Sequence, residues 1–335
     1  MSAKDPSRAR AMKASSTPAG SVHRVAVVQH PPVLLDLPAS IRRAVELISE
    51  AARGGAQLVT FPETFLPGYP EWVWRLRPGT DFGTSSKIHR RLADNAVDLD
   101  ADGLVLVQRA ARKSAVTVVI GLNEREGSFG RGTLYNTVVI IGPDGTILNR
   151  HRKLMPTNPE RMVWGMGDAR GLRVVETPVG RIGSLICWEN YMPLARYSLY
   201  AQGPDFYVAP TWDEGDGWIA SMRHIAMEGR VWVLGNGSAI QGRDIPQDFP
   251  GREELYPDDD EWINPGDSVI VSPVGEVVAG PLHEERGILY ADCDVSSAAA
   301  RRTLDVTGHY SRPDIFSLEV TREPSPPVRF SSDRG

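Results

Sequence analysis

Apolar residues follow two rhythms along this chain. Short unbroken runs, such as residues 24–29 (RVAVVQ) and 116–122 (VTVVIGL), have the pattern of strands buried on both faces. Between them, Leu37, Ile41, Ala44, Val45 and Ile48 recur at three- and four-residue intervals. That spacing predicts an amphipathic helix over 36–53, stopped by Gly54 and Gly55. A strand over 57–63, ended by Pro62, and a helix over 104–113 continue the alternation. The middle of the chain turns to hairpins. Residues 135–141 and 146–153 flank Gly142-Pro143-Asp144-Gly145, residues 172–177 and 181–188 flank Pro178-Val179-Gly180, and residues 269–272 and 276–279 flank Pro273-Val274-Gly275. Helices are expected again over 193–202, 214–228 and 296–304, and strands over 205–209, 231–234 and 288–293. The hairpins share no fixed period, which argues against a solenoid.

Strands alternating with helices, plus hairpins, imply an α/β layered protein with mixed sheets. No Pro/Gly/Ser linker divides the interior, so a chain of 335 residues reads as one domain over 22–310. Residues 1–21 carry Lys4, Arg8, Arg10 and Lys13 without an apolar core, which fits a disordered leader and not a secretory signal. The Pro- and Ser-rich tail, 311–335, is expected to be disordered or held at an interface. A formal charge of −5 argues against a nucleic-acid binder, and no apolar run approaches the ~20 residues of a membrane span. Two cysteines, Cys187 and Cys293, make no disulfide framework and point to a reducing cytoplasm. No cluster has zinc spacing, so neither metal nor cofactor is expected. The glycine-rich stretch 165–171 (GMGDARG) follows no strand and opens no clear helix, which counts against a nucleotide loop.

Open α/β sheets place their chemistry at strand C-termini, and three unusual segments fall there. They surround Glu63 (FPETFLPGYP), Lys153 (HRKLMPTNPERMVWGMGD) and Cys187 (ICWENYMPL). A thiol on a tight turn after a strand is raised out of the sheet, near backbone N–H groups able to hold an oxyanion. Cys, Glu and Lys together supply nucleophile, proton shuttle and charge stabiliser. Each also has an ordinary reading: Cys187 as a small core hydrophobe, Glu63 as a helix-start carboxylate, Lys153 as a solvated strand end. His151, two residues from Lys153, keeps a Cys–His hydrolase open. Cys293 alternates with Asp292 and Asp294 and reads as core. Trp72 and Trp74, two apart, suit a site entrance or an interface better than a helical stripe.

The three segments, in this order, resemble the nitrilase branch of the carbon–nitrogen hydrolase superfamily, over residues 25–294. The tripeptides Phe61-Pro62-Glu63, His151-Arg152-Lys153 and Cys187-Trp188-Glu189 carry the resemblance. Pro156-Thr157, Glu160-Arg161 and Trp164-Gly165-Met166-Gly167-Asp168 fit a nitrilase signature. With Asn190 they bring the chain closest in motif to plant and cyanobacterial-type nitrilases. The resemblance implies an αββα sandwich that dimerises into an αββα–αββα assembly, with larger spirals beyond it. It implies hydrolysis of a small-molecule nitrile to acid and ammonia, with Cys187 as nucleophile, Glu63 as proton acceptor, Lys153 as charge stabiliser and Glu160 as a second, orienting carboxylate. Tyr69, Trp164, Trp188, Thr211 and Trp212 are the expected pocket residues. An amidase of the same superfamily, a nitrilase releasing some amide and a catalytically silent scaffold are the alternatives. The acidic segment 243–262 is expected at an interface or as a solvated loop.

Overall fold

The computed structural model describes residues 22–77, 79–127, 132–296 and 305–323. The leader 1–21, most of the helix expected over 296–304 and the end of the tail, 324–335, lie outside the described residues. In the first sheet β1 (Val22–Gln29), β2 (Leu58–Thr60) and β3 (Thr117–Arg125) run parallel. β4 (Leu134–Ile141) and β5 (Ile147–Arg152) then fold back through the hairpin at Gly145. The φ of +84° at Gly145 is open to glycine at little cost. β5 therefore points the same way as β2 and β3, and their C-terminal ends share one edge of the molecule.

The second sheet repeats the plan. β6 (Val175–Thr177) hairpins into β7 (Gly180–Ser184), which lies parallel to β8 (Phe206–Pro210) and β9 (Trp232–Asn236). β10 (Ala239–Gln241), β11 (Trp262–Val271) and β12 (Val277–His283) add antiparallel strands. The last strand, β13 (Gly287–Asp294), returns to the first sheet and pairs with β1, Val22 opposite Asp294.

The sheets face each other across an apolar layer, with Val25, Val27, Leu58, Val119 and Ile140 meeting Ile182, Ile186, Phe206, Val208 and Leu234. Cys293 lies in that layer, and burial pushes its thiol up to about 12. The helices α1 (Leu37–Arg53) and α3 (Val105–Ser114) cover the outside of the first sheet. Asp36 caps α1 by accepting a 2.9 Å bond from the Ala39 N–H. On the far side α4 (Pro193–Tyr200) and α5 (Gly215–Gly229) cover the second sheet, completing the αββα order.

Several local details differ from the sequence pattern or add to it. β2 stops at Thr60 because the chain leaves the ladder before Pro62, and β7 stops at Ser184, so Cys187 opens a 3-10 turn (Cys187–Tyr191). A helix that the sequence pattern did not mark, α2 (Phe82–Asp94), buries little beyond Ile88 and Leu92. Segment 243–262, which includes α6 (Arg252–Leu255), packs Phe249 and Tyr256 against the Trp72 region, while Arg243, Asp248, Glu253, Glu254 and the acidic tip Asp258, Asp259 and Asp260 stay exposed. Residues 305–323 form no helix or strand. Val306 and Val320 rest on the α4–α5 layer, and Arg322 donates to the Leu172 carbonyl at 2.9 Å. No helix among the described residues is long and apolar enough to cross a membrane.

Candidate active site

Glu63 sits just past β2, where the chain turns across the end of β3. Thr64 takes a left-handed φ of +47° there, and the turn is possible only because Gly121 lies beneath it. A Cβ at Gly121 would stand 2.5 Å from both the Pro62 oxygen and the Thr64 nitrogen. The Glu63 carboxylate is buried, and its Oε1 accepts from Asn136 Nδ2 at 2.6 Å and from Lys153 Nζ at 3.0 Å. Its Oε2 is buried with no hydrogen-bond partner in the protein. One oxygen is thus fixed and the other is left without a partner.

Lys153 follows the last residue of β5, its N–H bonded to the Asn136 carbonyl at 2.8 Å. Its ammonium also reaches Glu160 Oε2 at 2.8 Å. Glu160 lies on a 3-10 turn (Asn158–Met162) entered through Asn158 at φ +44°. It accepts a 2.6 Å bond from the Tyr69 hydroxyl and another of 2.6 Å from the Thr157 N–H. Burial pulls the Lys153 pKa down, but Glu63, Cys187 and Glu160 outweigh it and hold the ammonium protonated far above the ordinary lysine range. For Glu63 burial dominates and Glu160 adds to it, so its pKa stands above the ordinary carboxylate value despite Lys153.

The stretch 165–171 explains how Lys153 is framed. Gly167 donates to the Lys153 carbonyl at 2.8 Å, and a Cβ there would lie 2.2 Å from the Arg152 oxygen. Gly171 would meet the His151 Cα at 2.4 Å. These glycines let one backbone lie flush against β5.

Cys187 has a φ of +51°, a conformation that costs a non-glycine residue about 1–3 kcal/mol and is tolerated where the surroundings enforce it. Asn190 Nδ2 donates to the Cys187 carbonyl at 2.7 Å, and its Oδ1 accepts from the Tyr207 hydroxyl at 2.7 Å. Arg196, paired with Glu228 at 2.8 Å, donates to the Asn190 carbonyl. Glu189 joins the two sheets: its buried carboxylate accepts from the Ile186 N–H at 2.7 Å, the Leu154 N–H at 2.6 Å and His151 Nε2 at 3.0 Å. It therefore anchors the residue before Cys187 to the residue after Lys153. His151 serves this anchor and bonds Glu189.

The thiol is free and 4 % exposed. Burial raises its pKa first and Glu63 adds to the rise; Lys153 and a hydrogen bond from Thr211 act the other way without reversing it. The resting group is a neutral thiol. It nonetheless lines a cavity of about 200 Å³ with Tyr69, Trp74, Thr157, Glu160, Trp188, Trp212, Asp213, Glu214 and Ile263.

The structure thus gathers Glu63, Lys153, Glu160 and Cys187, which are separated by up to 124 positions in the sequence (187 − 63). Tyr69, Trp188 and Trp212 line the cavity, Tyr69 and Trp212 stacked at 4.3 Å. Trp164 stands behind Tyr69, edge-on at 5.6 Å, with its N–H on Asn123. The two tryptophans of EWVW divide: Trp72 is core, and Trp74 is a half-exposed wall residue donating to the Tyr69 hydroxyl at 3.1 Å. Asn136, Gly121, Glu189, Asp213 and Glu214 were not marked by the sequence. Only Glu189 lay within a noted motif; the others become visible through contacts across strands. No group of His, Cys, Asp and Glu among the described residues is placed to hold a metal ion.

Comparison of the whole chain with known proteins gives the class to which this sandwich and cluster belong. The chain belongs to the carbon–nitrogen hydrolase family, whose model matches residues 24–303. It is 42% identical over 323 residues to a bifunctional nitrilase/nitrile hydratase of Lupinus angustifolius, covering 92% of this chain and 89% of that one. To an aliphatic nitrilase of Sinorhizobium fredii it is 40% identical over 307 residues, 91% and 97% of the two chains. Its fold is similar to that of an amidase from Nesterenkonia sp. AN1, with a TM-score of 0.62 at 20% identity over 84% of this chain and 96% of that one.

Proposed function

We propose that this protein is a nitrilase, converting R–C≡N and two waters to R–COOH and ammonia, with Cys187 as the nucleophile. The observation that supports this reading is a thiol at the wall of an aromatic cavity, beside a carboxylate with one unpartnered oxygen and a locked ammonium. Because the thiol is neutral at rest, its proton passes to Glu63 as Sγ attacks the nitrile carbon. Lys153 and the backbone N–H of Trp188 stabilise the charge arising on nitrogen, Glu63 passes its proton to that nitrogen, and the thioimidate R–C(=NH)–S–Cys187 forms with Glu63 again ionised. Glu63 next deprotonates a water that adds to this carbon. The nitrogen leaves as ammonia with protons returned through Glu63, giving a thioester. A second water cleaves the C–S bond and restores the thiol. Glu160 holds Lys153 and is itself oriented by Tyr69 and Thr157.

The experiment is ammonia release from matched nitriles and amides, with acid and amide products separated. Release from nitriles supports the reading; turnover of amides alone would assign an amidase. The open cavity and intact cluster argue against a silent scaffold. Exposed Leu194 on α4 and Met227 on α5 support self-association as a dimer through these outer helices, and as larger spirals beyond it. Two free cysteines fit a reducing cytoplasm.

A further inference from the structure

The outer half of the cavity carries a charge pattern that the proposed hydrolysis does not use. Asp213 and Glu214 line it beside Trp74, Trp188 and Trp212, and none of the lining residues is Lys or Arg. Asp213 Oδ2 accepts from the Trp188 indole N–H and the Tyr191 hydroxyl, both at 3.1 Å, and neither donor carries a charge. Glu214 forms no ion pair with a described residue. Burial raises its pKa, and Asp267 and Asp213 raise it further, while His283 acts the other way without reversing the shift. Asp267 is engaged elsewhere, with His283 at 2.8 Å and the Gly215 N–H at 2.8 Å. Deeper in, Lys153 already faces two carboxylates and has no charge to spare.

Two carboxylates in a cavity lined by three tryptophans and by no Lys or Arg match a positively charged ligand group. Indole faces attract cations through their quadrupole, and an alkylammonium satisfies both features at once. An anionic substrate meets repulsion from both. Resting on the nitrilase reading, we infer that the preferred substrates are nitriles bearing a cationic ammonium group away from the C≡N, held by Asp213, Glu214 and the tryptophan wall. The specificity-determining residues are Asp213 and Glu214.

The test uses three nitriles of one chain length ending in trimethylammonium, in its neutral isostere tert-butyl, and in carboxylate. The quaternary group keeps its charge at every pH. For the wild-type protein, kcat/KM should fall in the order ammonium, tert-butyl, carboxylate, with about tenfold between the first two, a size that a charge pair near a protein surface supports. In Glu214→Gln and Asp213→Asn, which keep the shape and remove the charge, the ammonium-to-tert-butyl ratio should drop several-fold. Added salt should shrink the wild-type ratio as well. Equal or reversed preference in the wild type overturns the inference while leaving the nitrilase reading intact. So does a preference that survives both substitutions. If none of the three releases ammonia, the nitrilase reading fails first and this inference falls with it.

Discussion

Lys153 shows most clearly how the site's charges depend on one another. It is buried between Glu63 and Glu160, and removing it leaves two carboxylates facing each other out of water. Breaking a buried pair in this way typically costs about 3–5 kcal/mol, and loss of a charge-stabilising donor lowers turnover about 10²–10³-fold. Lys153→Ala should therefore lower both the melting temperature and kcat, as calorimetry and an ammonia assay would record. Asn136 offers a subtler probe. Its amide bond to Glu63 favours the ionised carboxylate, whereas burial, the largest influence, disfavours it. A base must be ionised to act, so activity is lost as pH falls through the Glu63 pKa, and that limb should lie above the ordinary value of ~4.3. Asn136→Ala removes a lowering contact, so the acid limb of kcat/KM should move to higher pH. A pH–rate profile that stays put would show that this bond does not set the base. Glu63, Lys153 and Cys187 were legible in the sequence because each sits in a short distinctive motif. Asn136 was not, because an asparagine in a strand gains its meaning only from the carboxylate across the sheet.

Among the elements, two backbones approach each other more closely than side chains allow. Gly121 on β3 carries the Glu63 turn, and Gly167 lies against Arg152. Gly121→Ala should push the Glu63 turn outward, with an overpacking cost of about 1–3 kcal/mol. It should also lose activity out of proportion to stability, which thermal melts compared with kcat would show. The Glu189 anchor has a pH signature. Burial raises its pKa, but His151 and the Leu154 and Ile186 N–H groups outweigh it, so the folded value lies below the ordinary one. A carboxylate of that kind contributes stability that is complete above the unfolded pKa of ~4.3 and is lost as pH falls through the folded value. Melting temperature should decline with acidification over that window, and Glu189→Gln should be less stable near neutrality with a flatter acid decline. Strands and hairpins were readable from unbroken apolar runs and Pro-Asp-Gly or Pro-Val-Gly turns. α2 was not, because its buried face is little more than Ile88 and Leu92 on an otherwise polar segment. The glycine-rich stretch 165–171 was visible, but its role was not, since close packing against β5 exists only once the two backbones meet.

For the whole molecule, the sandwich brings the ends of β2, β5 and β7 to one edge, and Glu189 couples one sheet to the other there. The α4 and α5 surface carries Leu194 and Met227 exposed at 66% and 41%. If that face joins two copies, light scattering should give at least twice the chain mass, and charged substitutions at both positions should reduce it; a monomeric wild-type protein would remove the basis for the layered dimer. A layered α/β architecture was readable from alternating elements, and the αββα order came with the family resemblance. The return of β13 to the first sheet was not, because a pairing between residues 22 and 294 leaves no mark in local sequence. The central claim concerns one sulfur, and it is most directly tested by quenching a reaction with a hydrolysable nitrile in acid and mapping the peptides by mass. A covalent acyl or imidoyl adduct on Cys187, absent from Cys293, is the expected result. Ammonia released at the wild-type rate by a folded Cys187→Ala protein would contradict it.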